Sequence, residues 1–292
     1  MSGASADRST GGVAGGGNRA RYWRDATRPV EAMHAYFHDH VYAPHSHDTY
    51  SFGITDEGAQ RFRCRGADHT SAAGMVMAFN PDEVHDGRAA VELGYHYRIV
   101  HLGPSVVGGI LADAADTTGG RSPAMPLFAH PVLTDPGLAR ALTRLHVALL
   151  GPADALARDE TLTTAVLAMA GRGATRAPRV RTLAGGGQRR AARRARAALD
   201  EAPLTPVSAQ RLATAAGCSR FALYRAFRAE YGMAPSDYQR LLRLRRARAL
   251  LASGVPLAEA ATATGFADQA HLHRWFKRSY GITPGTYQRA AG

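Results

Sequence analysis

Apolar positions along the chain follow two rhythms. In the first third they form short β-like runs at 51–55, 60–64, 75–79 and 95–101, separated by Gly, Pro, Asn and Asp. Such texture, from about residue 36 to 102, predicts an antiparallel barrel or sandwich. Farther on the spacing becomes helical. Leu138, Leu142, Leu145 and Leu149 are separated by steps of 4, 3 and 4. After a break at Gly151 and Pro152, Leu162, Val166 and Met169 repeat the 4 and 3 steps. This predicts an antiparallel helical hairpin over 106–170, its leucine stripe open to two readings: packing back onto the barrel or a dimer seam. Residues 1–20 are Gly, Ser, Ala and Thr with almost nothing to bury and predict a disordered arm, leaving 21–105 for the barrel. Residues 171–187, rich in Gly and Arg without periodicity, predict a linker.

The last part of the chain, 188–292, repeats itself. At an offset of 49 residues, Leu223, Arg225, Phe227, Tyr231, Gly232, Pro235, Tyr238, Gln239 and Arg240 recur as Leu272, Arg274, Phe276, Tyr280, Gly281, Pro284, Tyr287, Gln288 and Arg289, nine identities in 18 positions. Each copy carries the elements of a helix-turn-helix, at about 207–228 and 256–279: a short helix, a tight Gly turn and a second helix. Ser208 can cap a helix over 209–216, Gly217 supplies the turn, and Ser219 caps the second helix. Leu223 with Phe227, and Leu272 with Phe276, fill the core at a spacing of four. The opposite faces then carry Arg220, Phe221, Tyr224, Arg225 and Arg228 in one copy and Gln269, His271, His273, Arg274, Lys277 and Arg278 in the other. Between the copies, residues 237–252 predict one helix with Leu241, Leu244, Ala247 and Leu251 inward and Arg243, Arg245, Arg246 and Arg248 mostly outward. At 1.5 Å per residue it spans ~24 Å, long enough to set two small bundles against successive major-groove turns ~34 Å apart. The fold class expected is therefore α+β: an antiparallel β-barrel with a helical hairpin, then an all-α domain of two helix-turn-helix units joined by a long helix.

Charge sharpens this picture. Of the net +12, residues 1–187 contribute nothing, with 18 basic against 18 acidic side chains, while 188–292 hold 18 against 6. A basic domain attached to a neutral one suits a polyanion-binding module joined to a different activity. Lys277 is the only lysine, and arginine's planar fork matches phosphate and guanine edges. Gln pairs with adenine and aromatic rings touch the thymine methyl, so the two faces have the chemistry of base reading. Lone charged helices are usually only solvated; two matching copies in a basic domain favour DNA. No apolar run approaches the roughly 18 residues of a membrane span, and the polar start lacks a secretory leader, so a cytoplasmic protein is expected. Cys64 and Cys218, 154 positions apart, fit neither a disulfide framework nor a zinc module.

Two strings carry a family resemblance: LATAAGCSRFALYRAFRAEYGMAPSDYQRLLRLRRARALL and EAATATGFADQAHLHRWFKRSYGITPGTYQR. With its GF, Q, RWFK and YG-x-x-P elements, the second resembles the DNA-binding domain of AraC/XylS-type regulators. The resemblance implies one monomer placing helices near 219–231 and 268–280 in adjacent major-groove segments of a double-stranded promoter. Ala270 departs from the pattern, since many relatives carry a polar residue there. The front part resembles the cupin-like sensor domain of the same regulators. There His45 and His47, in PHSHDTY, alternate along a strand so that both can meet His85 inside a barrel. Three imidazoles can bind a divalent metal. A metal-binding cupin, however, would also offer a Glu shortly after the paired histidines, where Ser51 and its neighbours supply none. The expectation is thus a small-molecule pocket touched by His45, His47, Asn80 and His85, with no metal, cofactor or catalytic residue; histidines pinning loops at the barrel mouth are an equal alternative.

These readings converge on a sequence-specific transcription regulator responding to an unidentified effector and not an enzyme, with activator against repressor left open. RNA polymerase and a second copy of the chain are further candidate partners; a membrane is not. The alternatives are a cupin-type metal-dependent enzyme fused to a nucleic-acid-binding domain and a non-specific architectural DNA binder. The varied, lysine-poor faces oppose the latter.

Overall fold

A computed structural model of the chain describes residues 17–115, 124–175, 185–280 and 282–291. Most of the expected arm (1–16) and half of the expected linker (176–184) lie outside the described residues. The chain divides into two compact units, one of residues 1–151 with 161–180 and one of 152–160 with 181–292. The hairpin predicted over 106–170 is therefore shared between them.

Among the described residues, the first unit is built on nine antiparallel strands: β1 (Arg19–Arg24), β2 (Val30–Phe37), β3 (Tyr42–His45), β4 (Tyr50–Cys64), β5 (Ala67–Ala72), β6 (Val76–Phe79), β7 (His85–Ala89), β8 (Tyr95–Leu102) and β9 (Val132–Leu133). One path runs β1-β2-β8-β4-β6-β9; on the far half of β4, β5 and β7 pair with it and β3 extends from β7. The predicted runs 51–55 and 60–64 are thus one 15-residue strand serving both sheets, and the closed barrel becomes two sheets that share β4. What lets β4 turn from one sheet to the other is the register shift between Thr55 and Glu57, followed by Gly58 at φ +71°. A Cβ there would stand 2.1 Å from the Gly94 carbonyl oxygen, so no other residue fits.

Strand alternation sorts the side chains into two cores. Val30, Ala32, Tyr50, Phe52, Val100 and Leu102 face α1 (Pro104–Ala114), α2 (Pro136–Leu150) and the later turns of α3 (Ala155–Arg172). Ala35, Phe37, Phe62, Tyr95, Tyr97 and Ile99 face the space between the sheets. The stripe Leu138, Leu142, Leu145 and Leu149 is at most 2% exposed and packs on the sheet side, which leaves it unavailable as a dimer seam. Asp135 caps α2 by accepting from the backbone N–H groups of Gly137 and Leu138, and its carboxylate also holds Arg172 at the end of α3, fixing the two helices antiparallel.

The second unit is all helical: α4 (Gly185–Glu201), α5 (Ala209–Ala216), α6 (Arg220–Tyr231), α7 (Pro235–Ala252), α8 (Leu257–Ala263), α9 (Gln269–Tyr280) and α10 (Pro284–Ala291). Apolar periodicity does not announce α4, whose inward face is mostly alanine (Ala191, Ala192, Ala195) with Leu199. The two bundles keep separate cores, one around Leu212, Leu223 and Phe227 and one around Leu244, Leu251, Leu272 and Phe276. The helix α7 joins them as expected, with one exception. Arg243 is only 5% exposed, its guanidinium reaching the Gly265 carbonyl at 3.4 Å and Asp154 at 3.6 Å, whereas Arg245, Arg246 and Arg248 are exposed.

Candidate nucleic-acid interface and effector pocket

The predicted turns and caps of the first helix-turn-helix are present. Ser208 accepts from the Arg211 N–H and Ser219 from the Ala222 N–H, while Gly217 adopts the left-handed conformation at φ 70°, ψ 37° and closes α5. Ala213, Leu223, Phe227, Ala261, Leu272 and Phe276 are fully buried, so burial fixes which side of α6 and α9 turns outward. Arg225, Arg228, Gln269, Arg274, Lys277 and Arg278 are exposed; Phe221, His271 and His273 are half-buried. The Arg225 guanidinium lies 5.4 Å from the centre of the Phe221 ring, which orders it without using its donors.

Three members of the first face are placed differently from the sequence expectation. Tyr224 is buried, and its hydroxyl donates to Asp159 Oδ2 at 3.0 Å. Arg220 Nη1 donates to both oxygens of Asp159, at 3.0 and 3.3 Å, and Arg228 Nη2 donates to Glu160 at 3.2 Å. The acids come from the part of α3 that packs with this unit, 61 or more residues upstream, beyond any local motif. On the second face His271 is also engaged: Trp275 Nε1 donates to its Nε2 at 2.9 Å, so that lone pair is not offered to a base. Burial lowers the pKa of this imidazole, and Arg274 adds to the effect.

The first unit encloses a cavity of ≈160 Å³ between its sheets. His45 and His85 are opposite each other on β3 and β7, and His47 follows two residues on. Nδ1 of His45 donates to the Ala43 carbonyl and Nδ1 of His85 to the Glu83 carbonyl, each at 2.8 Å. With that tautomer the Nε2 lone pairs are free. One ring nitrogen from each of His45, His47 and His85 lies within 4.8 Å of the others. Burial pushes the His85 imidazole down to about 4, against the Glu83 carbonyl, and lowers His47 as well. Imidazoles so arranged could hold a divalent first-row metal or accept hydrogen bonds from a ligand.

Sequence reading missed His101, Tyr42, Tyr97, Gln60 and Met33 in this wall. The signal was present in β8, where Tyr95, Tyr97, Ile99 and His101 alternate and so share one face. Ser51 Oγ bonds His101 Nδ1 at 2.8 Å, and the two phenols of Tyr42 and Tyr97 meet at 3.0 Å. Burial pushes His101 down to about 4. Asn80, by contrast, does not line the cavity. Its side-chain oxygen accepts from the Phe128 N–H and its nitrogen donates to the Phe128 carbonyl, both at 3.0 Å, so its amide is used up in holding that segment.

Against known proteins, a model of the AraC-like ligand binding domain matches residues 29–166, and a helix-turn-helix domain model matches residues 212–290. An uncharacterised HTH-type transcriptional regulator of Bacillus subtilis, YbfI, is 26% identical over 228 residues, covering 78% of this chain and 80% of its own. The regulatory protein Ada of Salmonella typhimurium is 42% identical over 66 residues, 23% of this chain and 19% of its own. A solved transcriptional regulator of the AraC type from Chromobacterium violaceum matches 37% of this chain and 97% of its own at 28% identity, with a TM-score of 0.34. The sensor-domain match and the helix-turn-helix match stand in the same order as the pocket and the paired reading faces, and together they give this chain the two-domain arrangement of an AraC-type transcriptional regulator.

Proposed function

We propose that this protein is a sequence-specific, DNA-binding transcription regulator whose output responds to a small molecule held between the sheets of its first unit. The observation that carries the reading is the pair of outward faces, with Arg225 on α6 and Arg274 on α9 both exposed at equivalent positions of the repeat. Arginine pairs bidentately with guanine, and the remaining exposed cations supply phosphate contacts. The effector best matched by the cavity is small and not an anion. Its wall offers Met33, Phe62, Met77, Phe79 and Ile99 as apolar surface, imidazoles and phenols as hydrogen-bonding groups, the Asp86 carboxylate, which accepts from the Arg63 N–H, and, among the described residues, no Lys or Arg to balance an anion. Homodimerisation and contact with RNA polymerase extend the reading and are open to sedimentation and to in vitro transcription.

Genomic footprinting of the purified protein tests the proposal. Discrete protected promoter sites are expected, and an absence of preference over bulk DNA refutes it. On a fragment so recovered, Arg225→Ala and Arg274→Ala should each cost ~1 to 3 kcal/mol and relax preference at one base pair.

A further inference from the structure

Three donors of the first reading face, Arg220, Tyr224 and Arg228, already hold acidic side chains, while Arg225 stays exposed. Arg220, Tyr224 and Arg228 are spaced four apart and form one stripe along α6. Asp159 takes Arg220 and Tyr224; Glu160 takes Arg228 and, at 2.8 Å, the Ser236 hydroxyl at the start of α7. Asp154 stands 3.6 Å from Arg243. Leu156, on the same turn, is 1% exposed and belongs to the apolar core of the first bundle, so the acidic segment is docked rather than loosely attracted. Glu160 itself is only 5% exposed.

We propose that the segment 152–160 is an intramolecular occupant of the α6 reading face, its carboxylates standing in for DNA phosphates, and that the first helix-turn-helix engages DNA only when this segment leaves. Arg220 Nη1 is committed to both oxygens of Asp159 and the side chain is only 18% exposed, so a phosphate reaches that nitrogen only by displacing the carboxylate, and Tyr224 cannot reach a base while buried against α3. Binding is therefore a competition between internal carboxylates and duplex. The second face, with Gln269, Arg274, Lys277 and Arg278 exposed, is not covered in this way and is free to make the first contact. The helix that carries Asp159 and Glu160 continues into the other unit, where its Leu162, Val166 and Met169 are part of the core next to the sheet. A ligand that favours one placement of those later turns would shift the same equilibrium. Burial outweighs the attraction of Arg228 and pushes the Glu160 carboxyl up to about 7, so this end of the contact is held partly by a neutral acid hydrogen-bonded to Ser236 and is correspondingly easy to release.

The proposal rests on the DNA-binding reading above, and the test separates the two. The full chain, Asp159→Asn/Glu160→Gln, and a charge-matched control, Glu201→Gln/Glu259→Gln, are titrated with a short fluorescein-labelled GC-rich duplex at low salt. The control changes two exposed acids on α4 and α8. The acidic-segment variant should bind tighter on the order of tenfold, within the usual range of intramolecular coupling, and the control distinctly less. Equal gains in the two variants would overturn the occlusion while leaving DNA binding intact; failure of every form to bind duplex would remove both readings. Hydrogen exchange gives a second measure without mutation: amides of 155–160 should exchange faster when duplex is added to the wild-type chain, and unchanged or slower exchange counts against the proposal.

Discussion

Two buried ionisable side chains give the units opposite responses to pH. His146 on α2 is 4% exposed, its Nε2 bonded to the Met33 carbonyl, and burial lowers its pKa to about 4 despite that contact. Its neutral form is the one the fold accepts, so its contribution is complete above pH 6.5 and is lost as pH falls from there through about 4. Glu160 has the opposite sign. Arg228 from α6 and Ser236 and Asp237 from α7 surround it, and burial raises it to about 7, so its contribution is complete below about 4.5 and is lost as pH rises through 7. Each shift corresponds to roughly 3 kcal/mol as an order of magnitude. Unfolding monitored for each unit at pH 5 and pH 8 should show His146→Gln flattening the acid-side loss and Glu160→Gln flattening the decline toward alkaline pH. A wild-type slope retained in either variant would assign that response to other groups.

Among the elements, the turn between α5 and α6 decides how the reading helix leaves the bundle. Gly217 is in the left-handed region, and its N–H is taken up by the Ala213 and Thr214 carbonyls. Open space around it contains only the Arg194 guanidinium, 3.2 Å from where a Cβ would be, so the requirement is one of backbone conformation rather than room. Gly217→Val should therefore cost ~1 to 2 kcal/mol or more in urea unfolding and weaken duplex binding further than that loss of folded protein accounts for. Val at this position with unchanged stability would mean that the turn relaxes without consequence. The same scale explains a departure from expectation: α7 reads as a helix with its arginines mostly outward, and it is Arg243 that is drawn in, because the second bundle leaves the Gly265 carbonyl facing it.

At the scale of the whole molecule, the charge excess of 188–292 predicts a steep salt dependence of duplex affinity, with a slope of about −0.9 per phosphate neutralised. Exposed Arg245→Ala should flatten that slope by about 1, while buried Arg243→Ala should leave it unchanged and lower stability instead; a slope equally flattened by both would show that Arg243 reaches DNA. Much of this architecture is legible along the chain. The repeat, the Ser208 and Ser219 caps, the Gly217 turn, the Leu223/Phe227 and Leu272/Phe276 core pairs and the split of charge all depend on residues within a turn or two of each other, where helix geometry and backbone sterics act alone. Even His101 was accessible through strand alternation on β8. What only the tertiary structure decided is which polar groups find partners. Tyr224 and Arg220 meet Asp159 across more than 60 residues, Asn80 meets Phe128 across 48, and three histidines converge because β3 pairs with β7. A side chain's burial, charge state and freedom to bind are set by what packs on it, and no periodicity in its own segment records that neighbour.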